Sequence, residues 1–181
     1  RPIFEPLVRP VTIRDVTRHT GGFANSYGAP EFVDTLFKQA DPLNFNNTLT
    51  QFAETMGSLP LVSQPGTRWI YGPSVDIQAF LVERISGQPY GDYLRENVLD
   101  PLGMDETRYY FGPDYAERMT RIYQRGEDGK FEHEGDEAVA YHNQPRPLTM
   151  GGWGLISTID DYMRFARMLL NEGELDGVRI L

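Results

Sequence analysis

The sequence predicts a single helix-rich body with long, structured connections. Three observations carry this. The chain has 181 residues, and domains run to roughly 100–200. Six segments place apolar residues at helical spacing, most behind a capping residue and ahead of a stop signal. Hydrophobic residues make up 40% and aromatic residues 12%, enough apolar material to offset chain entropy and exclude a disordered or collagen-like chain.

Charge and composition exclude more. Seventeen Lys and Arg against 26 Asp and Glu give a net charge of −9, which disfavours binding to nucleic-acid phosphates. Having no cysteine, the chain offers no disulfide framework, thiolate nucleophile or Cys-based metal site, and the redox compartment stays open. No apolar run approaches the roughly 18 residues of a spanning helix. Arg1-Pro2-Ile3-Phe4 is neither a signal peptide nor an initiator Met, so the compartment is unassigned and the chain reads as part of something longer.

The elements follow in order. Pro2, Pro6 and Pro10 punctuate an extended start, after which Thr12 caps a short helix carrying Ile13, Asp15 and Val16 and stopping at Gly21-Gly22. Pro30-Glu31 opens a second helix with Phe32, Val33, Leu36 and Phe37, and Thr48 caps a third with Leu49, Phe52 and Met56. Pro60 and Pro65-Gly66 mark a loop that delivers Trp69-Ile70-Tyr71 to a fourth helix. That helix has Ser74 as a candidate cap, Asp76 complementing the dipole, Ile77, Phe80, Leu81 and Ile85 as its apolar set, and Gly87 as its end. Tyr90, Tyr93, Leu94 and Val98 make a fifth helix before Asp100-Pro101. Residues 109–147 weaken into an acidic loop or hairpin around Glu127-Asp128 and Glu132 to Glu137. The last helix follows the turn Gly151-Gly152-Trp153-Gly154, with Thr158 as cap, Asp161 in capping-box position and Ile159, Tyr162, Met163, Ala166, Leu169 and Leu170 on one side.

Chemistry is sparser. A serine hydrolase needs a serine beside a base and donors for the developing oxyanion. None of Ser26, Ser58, Ser63, Ser74, Ser86 and Ser157 lies in a G-x-S-x-G elbow or has a lysine three residues later. Thr35-Leu36-Phe37-Lys38 approximates that spacing, within an amphipathic helix where a surface lysine is the expectation. His133 and His142 with Glu132, Glu134 and Asp136 lack tight metal-ligand spacing, so a solvated acidic loop is expected there, with no metal or other cofactor. His19, in the last turn of the first helix, suits the dipole and the terminal carbonyls. The glycine turn matches neither a Walker loop nor a dinucleotide fingerprint.

Five phrases in order resemble the serine β-lactamase, penicillin-binding-protein and family VIII carboxylesterase group. They are Val11-Thr12-Ile13-Arg14-Asp15-Val16 through His19-Thr20-Gly21-Gly22; Pro65-Gly66-Thr67 through Tyr71; Ile85-Ser86-Gly87; Pro101-Leu102-Gly103-Met104 with Thr107; and Gly151-Gly152-Trp153-Gly154-Leu155-Ile156-Ser157-Thr158 with Asp161-Tyr162. The resemblance implies an α-rich fragment, the helical half plus connections, of the α+β serine β-lactamase/DD-peptidase fold. Residues 1–181 would then be a partial domain lacking the Ser-x-x-Lys segment before it and the strands after it.

The resemblance also implies roles. Tyr71 stands where the family's tyrosine helps take the proton from the nucleophilic serine, a role that needs a nearby cation because an unperturbed phenol titrates near about 10. Pro73 replaces the asparagine of the family's Tyr-x-Asn pattern. Proline offers no side-chain donor for a substrate amide, which favours an ester over a β-lactam. Gly152, Trp153 and Ser74 are the candidate substrate-binding residues, Trp153 being equally placed to be a core anchor and Ser74 a helix cap. Trp69 is expected in the core, and Asp105 and Thr107 are expected to form turn and cap. A small ester or β-lactam-like substrate is the implied partner, and self-association through exposed apolar edges is expected of a truncated fold. The resemblance thus implies a parent protein that is a serine acyl hydrolase, a carboxylesterase of β-lactamase fold working through an acyl-serine, with this chain lacking the nucleophile and the oxyanion hole. The competing readings are a β-lactamase or D-Ala-D-Ala peptidase, a non-catalytic relative that binds peptides, cell-wall fragments or a protein partner, and a metal enzyme built on His133 and His142.

Overall fold

The computed structural model describes residues 3–24, 30–133, 135 and 137–181. It divides the chain into two compact units, Arg1–Tyr93 with Pro147–Gly154 and Leu94–Arg146 with Leu155–Leu181. Helices dominate, as expected, and the strands among the described residues form two short antiparallel hairpins. No helix among these residues is long and apolar enough to cross a membrane.

In the first unit, α1 (Ile13–Thr17) and α3 (Leu49–Ser58) begin as the sequence dictates. Thr12 accepts from the Asp15 backbone N–H and Thr48 from that of Gln51, and in each case the side chain of that third helical residue returns the bond to the cap. α1 is shorter than expected. His19 adopts a left-handed backbone (φ 55°) right after the Arg18 cap, so the chain leaves the helix before Gly21. α2 (Glu31–Ala40) has Pro30 at its cap position and ends on a left-handed Asp41. Lys38 is committed to Asp34 one turn back at 2.6 Å, and Thr35 donates to the Glu31 carbonyl, the ordinary surface arrangement.

α4 (Ser74–Ser86) ends at Gly87 as read, but its start differs. Pro73 occupies the cap position without a side-chain bond, and Ser74 is the first helical residue, only 2% exposed. Proline at the entrance supplies the preset φ that a side-chain cap would otherwise stabilise. The inward face also differs. Ser74, Asp76 and Ala79 are buried, Ile77 and Phe80 pack partly against the core, and Ile85 is exposed. Ala79 meets Val33, Phe37, Leu49, Phe52, Met56, Leu148 and Met150 in one cluster, and each fully buried large side chain among them contributes about 1.5–3 kcal/mol.

Asp15 ties the extended start to this unit. Its carboxylate takes Arg9 at 2.6 and 2.9 Å, the Thr12 N–H at 2.9 Å and the Thr12 hydroxyl at 2.7 Å. Arg9 and these donors hold the Asp15 carboxyl well below the usual carboxylate range. Gln64 completes the anchorage by bonding the Pro6 carbonyl and the Val8 N–H.

In the second unit, α5 (Tyr90–Leu94), which starts in the first, continues as a π-helical turn over Arg95–Leu99. Residues 109–147 carry more structure than the sequence suggested. A 3-10 helix spans Pro113–Arg118, β1 (Tyr123–Arg125) pairs with β2 (Phe131–His133), and α6 covers Glu137–His142. The stretch through His133 thus forms a hairpin, one of the two forms expected, and Glu137 begins a helix that the sequence did not suggest.

α7 (Ile159–Leu170) has Thr158 accepting from the Asp161 N–H. The carboxylate does not return to the cap: Asp161 Oδ2 takes the Glu106 N–H and the Thr107 hydroxyl, each at 2.9 Å. That buried bond selects the inward face. Asp161, Phe165 and Met168 turn in, whereas Ile159, Tyr162, Met163, Leu169 and Leu170, expected on the packed side, are exposed. Beyond α7, β3 (Glu174–Leu175) and β4 (Val178–Arg179) close a hairpin through Asp176 and Gly177, both at positive φ, as a tight primed turn requires.

Candidate active site

Tyr71 owes its place to backbone pairing upstream. The Val62 N–H donates to the Gly22 carbonyl, Gly66 to Thr20 and Ile70 to His19, each at 2.8 Å, so residues 62–70 run against 19–22. The chain then turns into α4 three residues later. Tyr71 is left 61% exposed beside the helix entrance. His19 stacks on its ring with centroids 5.5 Å apart and planes within 14°. Trp69, placed in the core by sequence reasoning, is instead 65% exposed. It joins the same cluster, 6.0 Å from His19 and 6.2 Å from Tyr71. Period-2 side-chain direction along the extended Trp69-Ile70-Tyr71 accounts for the correction, since both aromatic rings then leave on one face while Ile70 leaves on the other.

The glycine turn is held on the same helix. Asp76 Oδ1 accepts the Gly152 N–H at 2.9 Å, and the Gly151 N–H also reaches this carboxylate. Burial pushes the Asp76 carboxyl up from its ordinary value, opposed by these amides. A Cβ at Gly151 would lie 2.3 Å from the Val75 carbonyl oxygen and 3.0 Å from the Ala79 Cβ, so only glycine permits this approach. Trp153, next along, is 46% exposed and rests edge-on against Phe45, with centroids 5.5 Å apart. One side of the indole is thus open, while Phe45 packs against the ring.

Of the four candidates, Tyr71, Gly152 and Trp153 therefore lie around the first turns of α4. Ser74 is on the same turn but buried, with its backbone bonded to Gly72 and Gln78, so it presents no side chain to a ligand. Sequence reasoning missed Phe45, which sits among asparagines with no periodic signal, and read Asp76 only as a partner of the helix dipole. It also read His19 as a cap. The ring's Nδ1 is buried without a hydrogen-bond partner among the described residues, and the His19 backbone N–H donates to the Val16 carbonyl.

The remaining candidates are spoken for elsewhere. His133 packs against Tyr123, and His142 Nδ1 lies 3.1 Å from the Tyr109 carbonyl. Glu134, Asp136 and Ser26 fall outside the described residues. Among the described residues no group of three acidic or histidine side chains is arranged to hold a metal. Thr107 bonds Ser157 at 2.7 Å and the buried Asp161, the structural role expected of it.

Protein Rv1367c of Mycobacterium tuberculosis is 34% identical over 176 residues, which cover 97% of this chain and 43% of that protein. A lovastatin esterase of Penicillium rubens is 28% identical over 177 residues, covering 96% of this chain and 43% of the esterase. Among solved structures, a LovD6 mutant of simvastatin synthase from Aspergillus terreus superposes with a TM-score of 0.71 at 27% identity, covering 92% of this chain and 37% of that one. Other relatives are named as acyltransferases. The chain spans less than half the length of the curated relatives it matches. The family model described as Beta-lactamase matches residues 6–180, and the chain belongs to the β-lactamase family.

Proposed function

We propose that this chain is the helical part of a serine acyl hydrolase, a carboxylesterase working through an acyl-serine intermediate. The observation that carries the reading is the exposed phenol of Tyr71 at the entrance to α4, in the position where the family resemblance puts its proton-transferring tyrosine. In this reading the attacking serine and its lysine come from polypeptide beyond residues 1–181, as do the donors of the oxyanion hole, and the isolated chain is inactive.

The phenolate of Tyr71 takes the serine proton as the hydroxyl oxygen bonds to the ester carbonyl. The resulting phenol returns that proton to the departing alkoxide as the ester C–O bond breaks. Water then attacks the acyl-serine with the same proton traffic, and the acid leaves. If an alcohol replaces water, the acyl group is transferred instead, which accords with the names of several relatives. Pro73 at the helix cap offers no side-chain amide, which favours an ester over a β-lactam. Trp153 with Phe45 gives an apolar wall suited to a bulky acyl or alcohol group.

The test uses the full-length protein. A fluorophosphonate probe should label it covalently, and it should hydrolyse p-nitrophenyl esters, with both lost in Tyr71→Phe. Absence of labelling in the unaltered protein would favour the binding relative, and an upstream segment without Ser-x-x-Lys would overturn the catalytic assignment.

A further inference from the structure

We infer that His19 is a positioning residue for Tyr71: its imidazole holds the phenol in the orientation that proton transfer requires. The inference rests on the proposed role of Tyr71 and adds to it a residue that does not itself touch the substrate.

Three independent features of His19 converge. It is one of few non-glycine residues with a left-handed backbone, φ 55°, a conformation that persists only where the surroundings hold it. Among the described residues its Nδ1 is buried with no hydrogen-bond partner, and none of them orients the ring through that nitrogen. What the ring does have is aromatic contact: a near-parallel stack on Tyr71 and a tilted contact with Trp69.

The backbone makes the arrangement mechanical. The Ile70 N–H donates to the His19 carbonyl at 2.8 Å, so the residue preceding Tyr71 is fastened to the residue whose ring stacks on it. A left-handed turn at 19 is what presents the carbonyl to Ile70 and the ring to Tyr71 together. A tyrosine side chain has several χ1 wells in principle. Stacking with a neighbour whose own backbone is pinned narrows that range, and proton transfer is sensitive to displacement of about 1 Å.

The experiment compares His19→Gly with His19→Phe in the full-length protein. Glycine accepts the left-handed backbone and removes the ring; phenylalanine keeps a stacking ring and removes both nitrogens. On a p-nitrophenyl ester, His19→Gly should lower kcat about 10- to 100-fold with KM changed less than about twofold, and His19→Phe should stay within about threefold of the unaltered kcat. In parallel, with ring-labelled tyrosine and the Tyr71 signal assigned by its absence in Tyr71→Phe, the Tyr71 ring resonances should shift in His19→Gly and keep their ring-current displacement in His19→Phe. Unaltered kcat in His19→Gly, or a His19→Phe as impaired as His19→Gly, would overturn the inference. If the unaltered protein hydrolyses no ester, the proposed function fails. The resonance arm then decides alone, and an unmoved Tyr71 signal in His19→Gly overturns the positioning role. Should His19→Gly not fold, His19→Asn, which tolerates the same backbone, takes its place under the same criteria.

Discussion

Replacing Gly151 by alanine tests whether the glycine turn is shaped by its approach to α4. The added Cβ would start 2.3 Å from the Val75 carbonyl oxygen, and real Cβ contacts are essentially never under 3.0 Å, so the turn must retreat by about 0.7 Å, the difference of the two. Carried to the neighbouring residue, that retreat stretches the 2.9 Å bond from Gly152 to Asp76 to roughly 3.6 Å, beyond useful hydrogen-bond length. Overpacking costs about 1–3 kcal/mol, and a lost bond to a charged group about 1.5–3 kcal/mol. Because one movement relieves part of the clash, Gly151→Ala should destabilise by about 2–5 kcal/mol. Gly152→Ala is the internal control. Its Cβ would meet only the Asp76 carboxylate at 3.2 Å, so its cost should be smaller. Chemical denaturation of the full-length protein reads both. Equal costs, or a Gly151→Ala cost below about 1 kcal/mol, would refute the argument.

Further expectations concern buried carboxylates. Asp15, held low by Arg9, contributes stability that is complete above the ordinary aspartate pKa of about 3.9 and declines as pH falls below it. Acid titration of stability should therefore flatten in Asp15→Asn. Asp76, raised by burial, has the opposite sign: its contribution is present below its ordinary pKa and is lost as pH rises through the folded-state value. Asp76→Asn should remove that dependence, seen as a reduced gain on mild acidification. Thr107→Val leaves Asp161 with the Glu106 N–H as the one bond to its carboxylate described above, and should cost about 1–3 kcal/mol in denaturant unfolding. A double-mutant cycle of Phe45→Ala and Trp153→Ala should give a coupling of about 0.5–1.5 kcal/mol for the edge-on pair.

What could be read from sequence and what could not divide along physical lines. Local chemistry was legible: Thr12, Thr48 and Thr158 cap their helices, and Gly87 ends one on a positive φ. The tyrosine, the glycine turn and Trp153 were picked out by resemblance. Which face of a helix turns inward was not legible where a polar side chain decides it. Periodicity chose the apolar stripe of α7, yet the Asp161–Thr107 bond, between residues 54 apart in sequence, set the rotation. Asp76 did the same for α4 through Gly152, 76 residues away. The Asp176-Gly177 hairpin was written in a recognisable turn dipeptide and simply unread. α6, only six residues long, is too short to show a helical period in the sequence.

The return of Pro147–Gly154 to the first unit has a consequence for how the molecule is made. Leu148 and Met150 finish the packing around Phe52 and Ala79, so a nascent chain halted after Tyr93 holds an apolar face with part of its cover still unsynthesised. The first unit must wait, partly open, until more than fifty residues beyond Tyr93 have left the ribosome. Holdase chaperones would find their target in that interval, and a nascent chain with residues up to 154 outside the ribosome should resist protease where one with residues only up to about 100 outside does not.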